Sequence, residues 1–133
     1  MTPQAPLLRG FVILVVDDDA DSLMLSRAAV ESFGCSALTA GSTDEALAIL
    51  DSGAHVDLVF SDVVMPNASG LALARMARER RPGLPVVLAT GFPDAVDAVT
   101  ESGGISLIKP YSVARLEAVF AEQLHVARGA ASG

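Results

Sequence analysis

The sequence predicts an α/β domain: an open, doubly wound parallel sheet of five strands with helices on both faces. Three observations carry that prediction. Five short apolar runs alternate with five helical patterns along the 133 residues. The first run, Phe11-Val-Ile-Leu-Val-Val16, is apolar throughout, which marks a strand covered on both faces. Hydrophobic residues make up 51% and charged residues 19%, a balance that suits a compact core and not a disordered chain. Strict alternation implies right-handed crossovers, and five units are too few to close a barrel of eight.

Strands are expected at 11–16, 35–40, 56–61, 85–89 and 105–108, and helices at roughly 20–33, 42–52, 68–80, 94–101 and 112–127. In the first helix Leu23, Ser26, Val30 and Phe33 share a face and Gly34 stops it. Strand two ends at Ala40-Gly41 with no functional group, as an edge strand would. Ser42-Thr-Asp-Glu45 is a capping box for the second helix, and Gly53 follows its end. Strand three is Val56-Asp-Leu-Val-Phe-Ser61. Arg75, Arg78, Arg80 and Arg81 read as a solvated face of the third helix, and Met24, Met65 and Met76 as packing residues. Strand four is Pro85-Val-Val-Leu-Ala89. Pro93 and Gly103-Gly104 flank the fourth helix and favour a loosely held segment. Strand five is Ile105-Ser-Leu-Ile108. Ser112 caps the last helix, where Val113, Leu116, Phe120 and Leu124 repeat on one face. Residues 1–9 form an N-terminal extension, 10–127 the domain, and 128–133 a frayed tail.

The net charge of −7 and pI near 4.6 argue against a nucleic-acid surface and against docking on anionic lipid. Cys35 is the only cysteine, in an apolar stretch that suggests a buried, inert thiol. No apolar run approaches a membrane span and the start lacks a signal layout, so a cytoplasmic setting is expected.

In such sheets ligands bind beyond the carboxyl ends of the strands. Strand one ends at Asp17-Asp18-Asp19, strand three at Asp62, strand four at Thr90 and strand five at Lys109. The aspartate triplet repels itself and suits a hard cation with oxygen ligands; equally, one aspartate could cap the next helix while the others face water. Lys109 is the only lysine among nine basic residues, a point charge where arginine's planar fork would not serve. Together the four strand ends read as a phosphoryl site. On this reading carboxylates hold a divalent cation, hydrated Mg²⁺ by its chemistry, one carboxylate is the nucleophile, and Lys109 and Thr90 meet phosphoryl oxygens.

These residues resemble the receiver (CheY-like) domain of two-component response regulators. The matching pieces are Val15-Val-Asp-Asp-Asp19, Asp57-Leu-Val-Phe-Ser-Asp62-Val-Val-Met-Pro66 with Ser69-Gly70, Leu88-Ala-Thr-Gly91, and Lys109-Pro110. The resemblance implies a flavodoxin-like sheet of order 2-1-3-4-5. It implies Asp62 as phosphoacceptor, Thr90 as switch hydroxyl and Lys109 as phosphate partner. Mg²⁺ would be held by Asp18, Asp62 and the Val64 carbonyl, with Asp17 acting through water. Asp19 would have a secondary role, and the Lys109–Pro110 peptide would be cis.

Two departures follow from the comparison of motifs. Many receivers carry an aromatic three positions before the lysine; here that residue is Ser106, with Tyr111 as a possible substitute. Val64 and Phe92, two past Asp62 and Thr90, are apolar and cannot orient an attacking water, so a long-lived phosphoaspartate is expected. The function implied is a single-domain, non-enzymatic phospho-switch. Its donor would be a histidine kinase or phosphotransfer protein, and a downstream protein partner would read it, with no direct DNA or membrane contact. A receiver segment of a hybrid kinase or longer regulator is the alternative. A metal-dependent phosphohydrolase is disfavoured because Val64 supplies no acid for a leaving group. His55 and His125 have no ligand partners at useful spacing.

Overall fold

The computed structural model describes residues 8–63 and 69–132, with residues 125–132 described by backbone alone. In chain order the elements are β1 Val12–Val16, α1 Ala20–Ser32, β2 Ser36–Ala40, α2 Thr43–Asp51, β3 Leu58–Asp62, α3 Gly70–Arg80, β4 Val86–Thr90, α4 Val96–Glu101, β5 Ile105–Ile108 and α5 Val113–Ser132. All strand pairs are parallel and the sheet order is β2-β1-β3-β4-β5, which puts β2 at an edge. This is the doubly wound, flavodoxin-like arrangement expected from the alternation and the motifs.

The sheet separates two core layers. One holds Leu14, Val59 and Leu88 beneath α2, α3 and α4; the other holds Ile13, Phe60 and Leu107 beneath α1 and α5. Successive strand residues therefore serve opposite layers, which explains strands with no polar alternation. Expected caps are present. Ser42 accepts the Glu45 N–H at 3.1 Å while Glu45 Oε2 accepts the Gly41 N–H at 2.7 Å. Ser112 accepts the Arg115 N–H at 3.0 Å.

Several expectations are corrected. Asp62 and Thr90 are the last residues of β3 and β4, not the first residues after them. The segment expected as one helix at 94–101 begins as a 3-10 turn, Pro93–Ala95, and only Val99 of α4 is buried. The α5 backbone continues to Ser132, beyond the expected end near 127. Val113, the first helical residue, is 58% exposed although Leu116, Phe120 and Leu124 are buried. Met24 is exposed, being one residue and about 100° round α1 from Leu23. Met76 is borderline at 36%, and Met65 lies outside the described residues. Two arginines do more than face water: Arg80 pairs with Asp51 at 2.8 Å and Arg81 donates to the Leu50 carbonyl at 2.7 Å. His55 pairs with Asp57 at 3.0 Å. No helix among the described residues is long and apolar enough to cross a membrane.

Cys35 is buried, and its thiol faces the Leu8 carbonyl at 3.3 Å. Burial, followed by the charges of Asp57 and Glu117, pushes its pKa up to about 11. The thiol is protonated at any pH below that value. Native protein is expected to react with a disulfide reagent at pH 8 at least about tenfold more slowly than the chain unfolded in urea. Equal rates would contradict the buried-thiol assignment.

Candidate functional site

Strand register brings the expected residues to one rim. Val16 of β1 is level with Ser61 of β3, so Asp17 and Asp62 leave the sheet side by side. Asp62 is level with Ala89 of β4, and Thr90 with Ile108 of β5, so Thr90 and Lys109 complete the row. Backbone bonds hold this rim: Asp17 N–H to Ala40 O at 3.1 Å, Val63 N–H to Ala89 O at 3.0 Å, and Lys109 N–H to Thr90 O at 2.8 Å. The Lys109–Pro110 peptide is cis.

The closest side-chain contact is Lys109 Nζ to Asp62 Oδ1, 2.7 Å. Both groups are partly exposed, so the ion pair is weak as a source of stability but sufficient to orient the carboxylate. Thr90 is buried, and its hydroxyl oxygen accepts the Phe92 N–H at 3.0 Å. Phe92 itself is exposed.

The triplet divides its tasks. Asp19 is the N-cap of α1, accepting the Asp21 N–H at 3.1 Å and the Ser22 hydroxyl at 3.0 Å. Asp17 accepts the Asp19 N–H at 3.0 Å. Asp18 is exposed at the turn between them. Burial pushes the Asp17 pKa up, the bond from Asp19 opposes this, and the charges of Asp62 and Asp18 push it further up. Neighbouring carboxylates of this kind are an oxygen-only donor set suited to a hard divalent cation. Among the described residues, however, no three acidic, histidine or cysteine groups stand close enough together to hold a metal ion. The Val64 carbonyl lies outside the described residues.

Gly70, which opens α3, was legible only as part of a motif. Its amide donates to the Val63 carbonyl at 2.8 Å, and a Cβ there would run into the backbone carbonyl of Asp62. Close packing of α3 on the end of β3 therefore requires glycine.

Tyr111 does not stand in for an aromatic at Ser106. Ser106 is level with Leu88, whose layer lies under α2, α3 and α4. Tyr111 packs in the opposite layer, edge to face with Phe60 at 6.2 Å. Beside it a cavity of about 570 Å³ opens between Asp17, Asp62 and Lys109 on one side and Leu25, Ser26 and Tyr111 on the other. Ser26 and Leu25 are not singled out as site residues by sequence, because helical periodicity places them on a face of α1 but not beside Tyr111 and the rim.

Comparison with known proteins agrees with this geometry. The chain is 35% identical over 107 residues to the C4-dicarboxylate transport transcriptional regulatory protein DctD of Rhizobium meliloti, a match covering 78% of this chain and 23% of DctD. The chain thus spans less than a quarter of that relative's length. A solved response regulator receiver domain protein from Clostridium thermocellum superposes with TM-score 0.81 at 27% identity, covering 89% of this chain and 97% of that one. The response regulator protein TrrA of Thermotoga maritima, solved in complex with Mg(2+)-BeF, gives TM-score 0.77 at 25% identity, covering 85% and 98%. The family model for the response regulator receiver domain matches residues 13–121, and the chain belongs to that family.

Proposed function

We propose that Asp62 accepts a phosphoryl group and that the chain is a phospho-switch rather than an enzyme with turnover. The observation that carries this reading is the Asp62–Lys109 pair at 2.7 Å on a rim shared with Asp17, Asp18 and Thr90. An Asp62 carboxylate oxygen forms the new bond to phosphorus. The nitrogen–phosphorus bond of a phosphohistidine donor breaks, and its electron pair returns to the imidazole. Lys109 exchanges its bond to the carboxylate for one to a phosphoryl oxygen. The Thr90 hydroxyl, which accepts the Phe92 N–H at rest, would turn to donate to another.

Mg²⁺ would be held by Asp18 and Asp62, by the Val64 carbonyl, and by Asp17 through water. Bound there, it neutralises the anionic donor and offsets the repulsion among the carboxylates. The Mg(2+)-BeF complex of TrrA supports this ligand class. The donor is a histidine kinase or phosphotransfer protein, the output is a protein partner, and the setting is cytoplasmic. Direct DNA contact by this domain is disfavoured by its net charge of −7.

A second reading has its own observation. The match takes in only 23% of DctD, a transcriptional regulatory protein, so this domain could act as the receiver segment of a longer regulator. The chemistry at Asp62 is the same in both.

Incubation with Mg²⁺ and acetyl phosphate should add one phosphate by intact mass, and chelation of the metal should prevent it. No adduct would reject the proposal. The adduct is also expected to persist for minutes or longer at neutral pH, since Phe92 and Val64 offer no polar group to an attacking water. Loss within a few seconds would contradict that expectation.

A further inference from the structure

A ladder of four rings runs from the rim of the site into the α1–α5 core layer. Tyr111 meets Phe60 edge to face with centroids 6.2 Å apart, Phe60 meets Phe120 at 5.4 Å, and Phe120 meets Phe33 at 6.1 Å. Phe60 precedes Asp62 by two residues on β3. Tyr111 follows Lys109 by two residues across Pro110. The ion pair of the site and the topmost ring pair therefore tie together the same two pieces of chain.

The other side of Tyr111 faces α1. Tyr111 and Ser26 of α1 line the same cavity, which opens onto Asp17, Asp62 and Lys109. Burial raises the phenol pKa, so the hydroxyl keeps its proton at neutral pH.

Lys109 has a long, rotatable, partly exposed side chain, so its aim at Asp62 depends on where its backbone is held. On the N-terminal side the Lys109 N–H to Thr90 bond fixes it to β4. Past Lys109 the chain leaves the sheet, and Tyr111 returns it to β3 through its ring and shares a cavity wall with Ser26 of α1. We propose that Tyr111 is a positioning residue for the phosphoryl site: it clamps the Lys109–Pro110 loop between β3 and α1, keeping Lys109 directed at Asp62. This rests on the reading of Asp62 as phosphoacceptor.

The test follows labelling of the whole chain by intact mass, with Mg²⁺ and a range of acetyl phosphate concentrations. Tyr111→Phe and Ser26→Ala should each lower the maximal rate about threefold and leave the half-saturating donor concentration within about twofold of wild type. The double variant should be no slower than about threefold, as expected of two hydroxyls that act on Lys109 as one unit. Tyr111→Ala also loses the ring and should fall about tenfold. If that variant does not fold, the conservative ones decide.

Tyr111 is the single tyrosine in a chain without tryptophan, so its emission reads the clamp directly. Beryllofluoride with Mg²⁺, a stable phosphoryl stand-in, should change wild-type emission and leave Asp62→Asn emission unchanged. Wild-type maximal rates in Tyr111→Phe and Ser26→Ala, or emission indifferent to beryllofluoride, would overturn the positioning role alone. A wild-type chain that takes no phosphate on Asp62 would sink the phosphoacceptor reading, and the clamp with it.

Discussion

Asp62→Asn is expected to remove at least about a hundredfold of the labelling by acetyl phosphate while leaving the fold intact. Asparagine keeps the shape of the side chain, and its amide oxygen can still accept from Lys109. It has no negative charge with which to attack phosphorus, and it offers a cation a weaker ligand. The stability change should stay within about 1 kcal/mol, because a half-exposed ion pair contributes little. Loss of one negative charge beside Asp17 also relieves repulsion. Intact mass gives the first quantity and thermal unfolding the second. An adduct formed at the wild-type rate would place the reacting group elsewhere on the rim, with Asp17 and Asp18 the candidates to map.

Gly70→Ala is expected to destabilise the chain by about 2–3 kcal/mol and to slow labelling as well. The added methyl meets the Asp62 carbonyl, the Val63 Cα and the Leu88 side chain. Backbone atoms cannot swing aside as a side-chain end can, so either α3 tilts away or the end of β3 shifts. Both moves disturb Asp62, whose neighbour Val63 holds the Gly70 amide. Gly91 is the control: nothing lies within 4 Å of a Cβ there, and Gly91→Ala should change stability by no more than about 0.5 kcal/mol. Urea unfolding of the two variants decides the matter. Similar midpoints would mean that α3 can be displaced from β3 at little cost.

Much of the molecule was legible in the chain itself. The apolar runs and caps located the five strands and five α-helices of the described residues, because parallel strands buried on both faces leave unbroken apolar runs and capping boxes mark helix starts. Boundaries were less legible. Val113 fits the apolar face of α5 by periodicity, yet it is exposed, since period alone does not say where a helix leaves the sheet. Met24 failed similarly: an apolar residue next to a core position reads as packing until the helix is docked.

The sequence by itself determined which functional groups stand at the ends of the strands: Asp17, Asp18, Asp62, Thr90 and Lys109. It could do so because a parallel sheet sends every strand end to the same side, so the order of residues along the chain implies a shared rim. What only the tertiary structure decided is which of these groups meet and what holds them. Register between strands set Asp17 beside Asp62 and brought Lys109 to 2.7 Å from it. The packing of α3 leaves no room for a Cβ at Gly70, and the split into two core layers placed Tyr111 on the opposite face from Ser106, in a cavity wall shared with Ser26. These are contacts between residues far apart in sequence, made across crossovers, and local periodicity carries no information about the side chain waiting on the other element.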